Sequence, residues 1–80
     1  MKIKILYFAH LKSITRKDHE NLHLSEPMTL LKLHCILKQK YPNFLEAKHL
    51  AIAVNETYAD SKAKLKNGDV VCFIPPVAGG

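Results

Sequence analysis

Residues 65–76 read LKNGDVVCFIPP, and this stretch decides the fold. Asn67-Gly68-Asp69 is a turn signal, because asparagine, glycine and aspartate tolerate the backbone angles of tight turns. The apolar run Val70–Ile74 that follows is typical of a strand. Pro75 and Pro76 end it, since proline has no N–H to donate to a neighbouring strand. The sequence therefore predicts a last strand that leaves its sheet through two prolines.

Three further segments, residues 2–9, 21–25 and 50–54, alternate between two faces and are predicted as strands. In residues 2–9 one face carries Ile3, Ile5 and Tyr7, and the opposite face carries Lys2, Lys4, Leu6 and Phe8. The stretch HLKSITRKD between the first two strands is polar and is interpreted as a connection.

One helix is predicted between the second and third strands. Thr29 is a suitable N-cap, the helix runs to about Lys40, and Pro42 stops it. A single stripe at helical spacing holds its apolar residues: Leu30, Leu33, Leu37 and Tyr41. The order β-β-α-β-β predicts an α+β fold, a mixed sheet with one main helix packed across one face.

The sheet face opposite the helix is predicted to be a docking surface. One helix covers one face only, so the open face should be polar where it meets water. In this sequence it is apolar instead, and a contiguous apolar cluster is typical of an interaction site. We call this set the open-face cluster: Leu6, Phe8, Ala51, Ala53, Val70, Cys72 and Ile74.

Composition restricts the class of protein. A chain of 80 residues with 48% hydrophobic residues fits one globular domain. No apolar run approaches the ~18 residues of a membrane helix, and the N-terminal segment lacks a cleavage site for a signal peptide. Cys35 and Cys72 lie far apart without a CxxC motif and fit free thiols. We therefore expect a cytoplasmic location and no membrane partner.

The net charge of +5 raises nucleic acid or an acidic protein as a partner. The basic residues are scattered, however, and no aromatic RNA-binding motif accompanies them, so we expect no nucleic-acid partner. The histidines lack zinc-ligand spacing. His19 and His23 are four apart, which on a strand merely places both on one face, and no metal site is expected.

Residues 75–80, PPVAGG, are predicted to form an extended tail on a domain of residues 1–74. Pro75-Pro76 favour the polyproline II conformation, and six residues at ~3.3 Å each project roughly 20 Å. Val77 and Ala78 add apolar contact without bulk. Gly79 and Gly80 have no Cβ and suit a narrow channel.

The tip of this tail is predicted to be the reacting group. A carboxylate on Gly80 is a poor electrophile until ATP converts it to an acyl-adenylate. We therefore expect the domain to present Gly80 to an enzyme that activates it.

Four segments carry a resemblance to the small subunit family of molybdopterin synthase: KIKILYFA (2–9), AVNETYA (53–59), LKNGDVVCFIPP (65–76) and the ending IPPVAGG (74–80). The resemblance spans the whole chain and implies a ubiquitin-like β-grasp fold. A terminal Gly-Gly alone would fit any ubiquitin-like carrier, whereas PPVxGG after an NGD turn and an apolar strand is far more specific.

The resemblance implies a chemistry for Gly80. An adenylating and sulfurating enzyme uses ATP to attach AMP to it transiently, and sulfur replaces AMP to give a thiocarboxylate. The tail then enters the large catalytic subunit, where sulfur passes to cyclic pyranopterin monophosphate and two transfers form the dithiolene of molybdopterin. The complex is implied to be a dimer of heterodimers. No cofactor is expected to stay bound to this chain, which by itself lacks a catalytic site.

The resemblance also implies that Phe8, Tyr58 and Ile74 contact both partners, beside Leu6 of the open-face cluster. This chain departs from the family in places. Members often have an aromatic residue in place of Ile74, an aliphatic residue in place of Tyr58 and arginine in place of Lys12. Many members are acidic, whereas this chain is basic.

Two alternatives stay open at this point. The chain could carry sulfur for thiamine or tRNA thiolation, or be a ubiquitin-like modifier joined through Gly80 to lysine, although thiazole carriers are usually shorter and lack the double proline. It could instead be a non-catalytic interaction domain that uses only its sheet face. In that case removal of Gly79 and Gly80 would change nothing.

Overall fold

A computed structural model describes residues 1–76, in which five strands form one mixed sheet. The elements are β1 (Lys2–Tyr7), α1 (His10–Thr15), β2 (His19–His23), α2 (Leu30–Lys40), a 3₁₀ turn (Ala47–His49), β3 (Ala51–Val54), β4 (Thr57–Tyr58) and β5 (Val70–Ile74). The strand order is β2-β1-β5-β3-β4, with β1 and β5 parallel and the other neighbours antiparallel. The predicted tail residues Val77, Ala78, Gly79 and Gly80 lie outside the described residues.

The core lies between α2 and one face of the sheet. The strand phases predicted from alternation are confirmed, because Ile5, Val71 and Phe73 are fully buried. Aromatic rings fill the space at one end, where Phe44 meets Tyr7 and Phe73 edge to face with ring centroids 6.1 and 5.6 Å apart. The largest fully buried side chains are Tyr7, Phe44, Phe73, Ile5, Leu11, Leu30, Leu33, Leu37 and Val71.

The predicted helix is confirmed as α2. Thr29 has an extended backbone, and its hydroxyl oxygen accepts a hydrogen bond from the N–H of Lys32 at 3.3 Å, as an N-cap does. Tyr41 follows the last helical residue, and its N–H donates to the carbonyl of Leu37 at 2.7 Å. Pro42 comes next and prevents continuation.

Besides the 3₁₀ turn, the structure adds two short elements to the predicted order. The stretch interpreted as a polar connection contains α1, which buries Leu11 and Thr15 against the sheet end. The Thr15 hydroxyl donates to the carbonyl of Leu11 at 2.9 Å, which satisfies its polar atom inside the core. The second addition is β4, a strand of two residues after the turn at Asn55 and Glu56.

The turn between β3 and β4 is held to β5. Asn55 and Glu56 have positive φ angles of 51° and 71°, as both central residues of a type I′ hairpin turn require. The Asn55 side chain accepts from the N–H of Val70 at 2.9 Å and donates to the Asp69 carboxylate at 2.9 Å. These bonds fix the β3–β4 hairpin beside the central strand.

A buried carboxylate joins β2 to the end of α2. Glu20 is 8% exposed and accepts hydrogen bonds from the hydroxyls of Tyr7 and Tyr41 at 2.8 and 2.9 Å, and Lys40 pairs with its other oxygen. Burial alone would raise the pKa of Glu20, but the hydrogen bonds from Lys40, Tyr7 and Tyr41 outweigh it and hold the pKa below its usual value. Glu20 is therefore charged at neutral pH.

Candidate functional site

The strand register brings the open-face cluster together. Leu6 lies opposite Cys72 on β5, Cys72 lies opposite Ala53 on β3, and Ala53 lies opposite Tyr58 on β4. Partners directly across neighbouring strands project from the same face. The result is one row of side chains across four strands, and Tyr58 joins it only because β4 exists.

A second row lies at the end of the sheet where the tail begins. Ile74 is paired with Ala51. Because β1 and β5 are parallel and Tyr7 is level with Phe73, Phe8 lies at the same end as Ile74. Of the predicted docking residues, Leu6, Tyr58 and Ile74 thus share one side of the sheet, and Phe8 follows the last residue of β1 at the same end as Ile74.

Exposure shows which of these side chains are free to bind. Phe8 is 42% exposed and Tyr58 is 76% exposed, although each is a large hydrophobic residue. Leu6, Val70, Cys72 and Ile74 are half-buried, and Ala51 is exposed. Ala53 is buried, since its short side chain lies between Cys72 and Tyr58 in its row. The surface is therefore an apolar strip with two prominent aromatic rings.

The root of the tail emerges beside this strip. Pro75 is buried and Pro76 is exposed, so the chain leaves the fold between them. A cleft of about 380 Å³ surrounds this exit, lined by Lys48, His49, Leu50, Ala51, Ile74, Pro75 and Pro76. The segment that follows, with the predicted reacting group at Gly80, lies outside the described residues.

The Cys72 thiol lies in the middle of the strip. A cleft of about 280 Å³ contains it and is lined by Leu6, Asn55, Glu56, Val70 and Cys72. Burial raises the pKa of Cys72, and the negative charge of Glu56 adds to the rise. The thiol is therefore protonated at neutral pH and behaves as a small hydrophobic side chain instead of a nucleophile. Cys35 is exposed on α2.

Within residues 1–76, no group of three or more His, Cys, Asp or Glu side chains could hold a metal ion. No helix of the described part is long and apolar enough to span a bilayer. On β2, the Nδ1 atom of His19 lies 2.7 Å from an oxygen of the Asp18 carboxylate, and this hydrogen bond lowers the pKa of Asp18.

Comparison with known proteins decides the family. The model of the ThiS family matches residues 5–80. A molybdopterin synthase sulfur carrier subunit of Mycobacterium tuberculosis is 32% identical over 82 residues, which cover 100% of this chain and 99% of the relative. The chain belongs to the ThiS family. Its likeness to sulfur carrier subunits of molybdopterin synthase, indicated by the sequence segments above, is confirmed.

Solved structures of similar proteins share the fold. The putative molybdopterin converting factor subunit 1 of Pyrococcus furiosus superposes with a TM-score of 0.84 at 30% identity, covering 96% of this chain and 99% of that one. A chain in the complex of subunits 1 and 2 of the molybdopterin-converting factor from Helicobacter pylori superposes with a TM-score of 0.72 at 28% identity, covering 100% of both chains. The predicted ubiquitin-like β-grasp fold is confirmed.

Sequence reasoning missed one polar neighbour of the site. Glu56 lies beside Cys72 because the hydrogen bonds between Asn55 and Val70 hold the β3–β4 turn next to the start of β5. The signal was the pair Asn55-Glu56 between Val54 and Thr57, which resembles the Asn-Gly pair of a tight hairpin. Glutamate in place of glycine hides that signal.

Proposed function

We propose that this chain is the sulfur carrier subunit of a molybdopterin synthase and that Gly80 carries the sulfur. The observation that supports this most strongly is the position of Pro75 and Pro76. They leave the sheet beside an exposed apolar strip, in a member of a family whose relatives are named sulfur carrier subunits. The apolar strip binds the partner protein, and the tail delivers the reacting group to it.

The chemistry takes place at the end of the tail. An adenylating enzyme uses ATP to place AMP on the Gly80 carboxylate, and sulfur replaces AMP to leave a thiocarboxylate. The chain itself supplies no catalytic group and holds no permanent cofactor. Sulfur transfer to cyclic pyranopterin monophosphate, which builds the dithiolene of molybdopterin, belongs to the complex with the large subunit.

The described residues of this chain have two tasks in that scheme. Leu6, Phe8, Tyr58 and Ile74 dock on the partner, because covering exposed apolar area is the main favourable term in association. The two prolines limit the directions in which the tail can leave, which reduces the entropy lost when it enters a channel. Beyond them Val77, Ala78 and Gly79 thread the channel.

Two protein partners follow from this proposal. The large catalytic subunit is supported by the Helicobacter pylori neighbour, which was solved as a complex of subunits 1 and 2. The adenylating enzyme is the second, and the two partners compete for the same strip. The assembled synthase is a dimer of heterodimers. Cytoplasmic location fits Cys35 and Cys72, both free thiols.

Intact-mass measurement tests the carrier role. The purified chain is incubated with ATP, the adenylating enzyme of its own organism and a sulfur source, and we expect one oxygen at Gly80 to be replaced by sulfur. A variant with one alanine added after Gly80 is the control and should fold normally but gain no sulfur. Conjugation of Gly80 to lysine side chains would instead identify a protein modifier. Sulfur on the extended variant, or no sulfur on either chain, would refute the proposal.

A further inference from the structure

The open face continues beyond the apolar strip as a cationic surface. On β1, Lys2 and Lys4 alternate with the buried Ile3 and Ile5 and so project from the same side as Leu6. The register pairs Lys2 with His23 and Lys4 with Asn21 on β2, and Lys4 with Val70 on β5. Both lysines and both β2 residues are exposed.

Two carboxylates near these lysines are already engaged inside the fold. Glu20, the acidic residue of β2, projects to the helix side and is held by Lys40 and two tyrosines. Asp69 is buried and accepts hydrogen bonds from the Asn55 side chain and the N–H of Lys66. The open face is therefore polarised, with cations on the β1–β2 side.

Two carboxylates border this face. Asp18 is engaged with His19 and lies just before β2 begins. Glu56 lies at the β3–β4 turn, next to Cys72. Among residues 1–76, neither Lys2 nor Lys4 is in an ion pair, whereas Lys17, Lys38 and Lys40 each pair with a glutamate. The two lysines of β1 are thus available to an external anionic group.

Lys2 and Lys4 lie close enough to the apolar strip for a partner bound to the strip to cover them. A typical specific interface covers about 800 Å² on each protein, a disc with a radius of about 16 Å. Leu6 and Lys2 are four strand residues apart, which is about 13 Å at 3.3 Å per residue. A partner centred on the row of Leu6 and Cys72 therefore also covers Lys4 and reaches Lys2.

We propose that the large subunit presents an acidic surface opposite Lys2 and Lys4. This inference rests on the proposed function and adds the chemistry of the partner. The apolar strip supplies affinity, but it does not distinguish the two orientations of a flat partner surface that are related by a half-turn. The lysines do so, because a reversed placement would carry Lys2 and Lys4 away from the acidic surface and leave them unpaired. Charges at the edge of an interface act mainly through the rate of association and its dependence on salt.

The test compares two charge-reversed variants in binding to the large subunit from the same organism. One carries Lys2→Glu and Lys4→Glu. The other carries Lys32→Glu and Lys64→Glu, two exposed positions at the start of α2, where Lys64 bridges to Thr29. Both lower the net charge equally, so only the position differs. Circular dichroism and thermal unfolding confirm that each variant is folded.

At low salt, we expect the rate of association with the large subunit to fall about tenfold or more for the variant with both β1 lysines reversed. For the variant with Lys32 and Lys64 reversed, it should fall less than threefold. The difference should vanish near 1 M salt, where the screening length is about 3 Å. Equal losses in the two variants would mean that only net charge matters, and unchanged binding of the β1 pair would mean that the lysines are not covered. Either result overturns the inference.

Two further outcomes separate this inference from the function on which it rests. In one outcome the wild type gains sulfur and binds the large subunit, and the variant with Lys2→Glu and Lys4→Glu binds the large subunit equally well but no longer binds duplex DNA. The cationic surface would then bind nucleic acid, and the inference would be wrong. If the wild type neither gains sulfur nor binds the large subunit, the proposed function fails, and the inference fails with it.

Discussion

Replacing Phe8 with aspartate should weaken docking without unfolding the domain. Phe8 is 42% exposed. A phenylalanine buries roughly 200 Å² when fully covered, so about 80 Å² remains for a partner to cover. At about 25 cal/mol per Å² this area is worth about 2 kcal/mol, or about thirtyfold in the dissociation constant. Aspartate adds the cost of desolvating a charge, so thirtyfold is the smallest loss we expect.

Phe73→Ala is the matched control for the opposite face. Phe73 is fully buried against the Phe44 ring, and its truncation should cost about 3–5 kcal/mol of folding free energy. Ile74→Asp should behave like Phe8→Asp, since Ile74 lies on the open face. Each variant is measured by thermal unfolding and by binding to the large subunit and to the adenylating enzyme. A Phe8→Asp variant that unfolds, or that binds both partners as the wild type does, would refute the docking surface.

Three other predictions concern the surroundings of the strip. Because the fold lowers the pKa of Glu20, the stability that the charged carboxylate contributes is complete above the unfolded pKa of about 4.5. It is lost as the pH falls through the lower folded pKa. Glu20→Gln should therefore make the free energy of unfolding, measured with denaturant, less dependent on pH at acid pH. Glu56→Gly should raise the free energy of unfolding by about 1 kcal/mol, because glycine adopts the φ of 71° without strain, and a destabilised variant would contradict the hairpin geometry. Alkylation of Cys72 should be slower than that of Cys35, since burial raises the pKa of Cys72 and limits access to it; the large subunit should protect Cys72 alone, and equal protection of both thiols would place the partner elsewhere.

The alternation of residues predicted the main elements because their faces differ strongly in polarity. Ile3, Ile5 and Tyr7 on β1, and Val71 and Phe73 on β5, are all buried as their spacing indicated. The helix was equally clear, since Thr29 caps it and Pro42 follows it. Periodicity over five or more residues was sufficient in each case.

The missed elements carry too few residues for a periodic signal. The helix α1 buries only Leu11 and Thr15, and a threonine in a polar stretch does not indicate a core position. The strand β4 has two residues, so alternation cannot be recognised in it. Phe44 is fully buried in a loop after Pro42, where neither helical nor strand spacing applies.

The candidate site depends on strand order, which alternation does not reveal. The open-face cluster was predicted from the phase of each strand separately. That Phe8 lies at the same end as the tail root follows from the parallel pairing of β1 with β5, a contact between the two ends of the chain. The burial of Glu20 likewise depends on tyrosines and a lysine that only the tertiary fold brings to it.

Single-turnover sulfur transfer tests the central claim most directly. The thiocarboxylated chain is isolated and mixed with cyclic pyranopterin monophosphate, with and without the large subunit, and its intact mass is followed beside the formation of molybdopterin. We predict that sulfur leaves Gly80 and the dithiolene forms only when the large subunit is present. Transfer at the same rate by the isolated chain would give it a catalytic site of its own. Retention of sulfur in the presence of the large subunit would contradict its role as the carrier for this synthase.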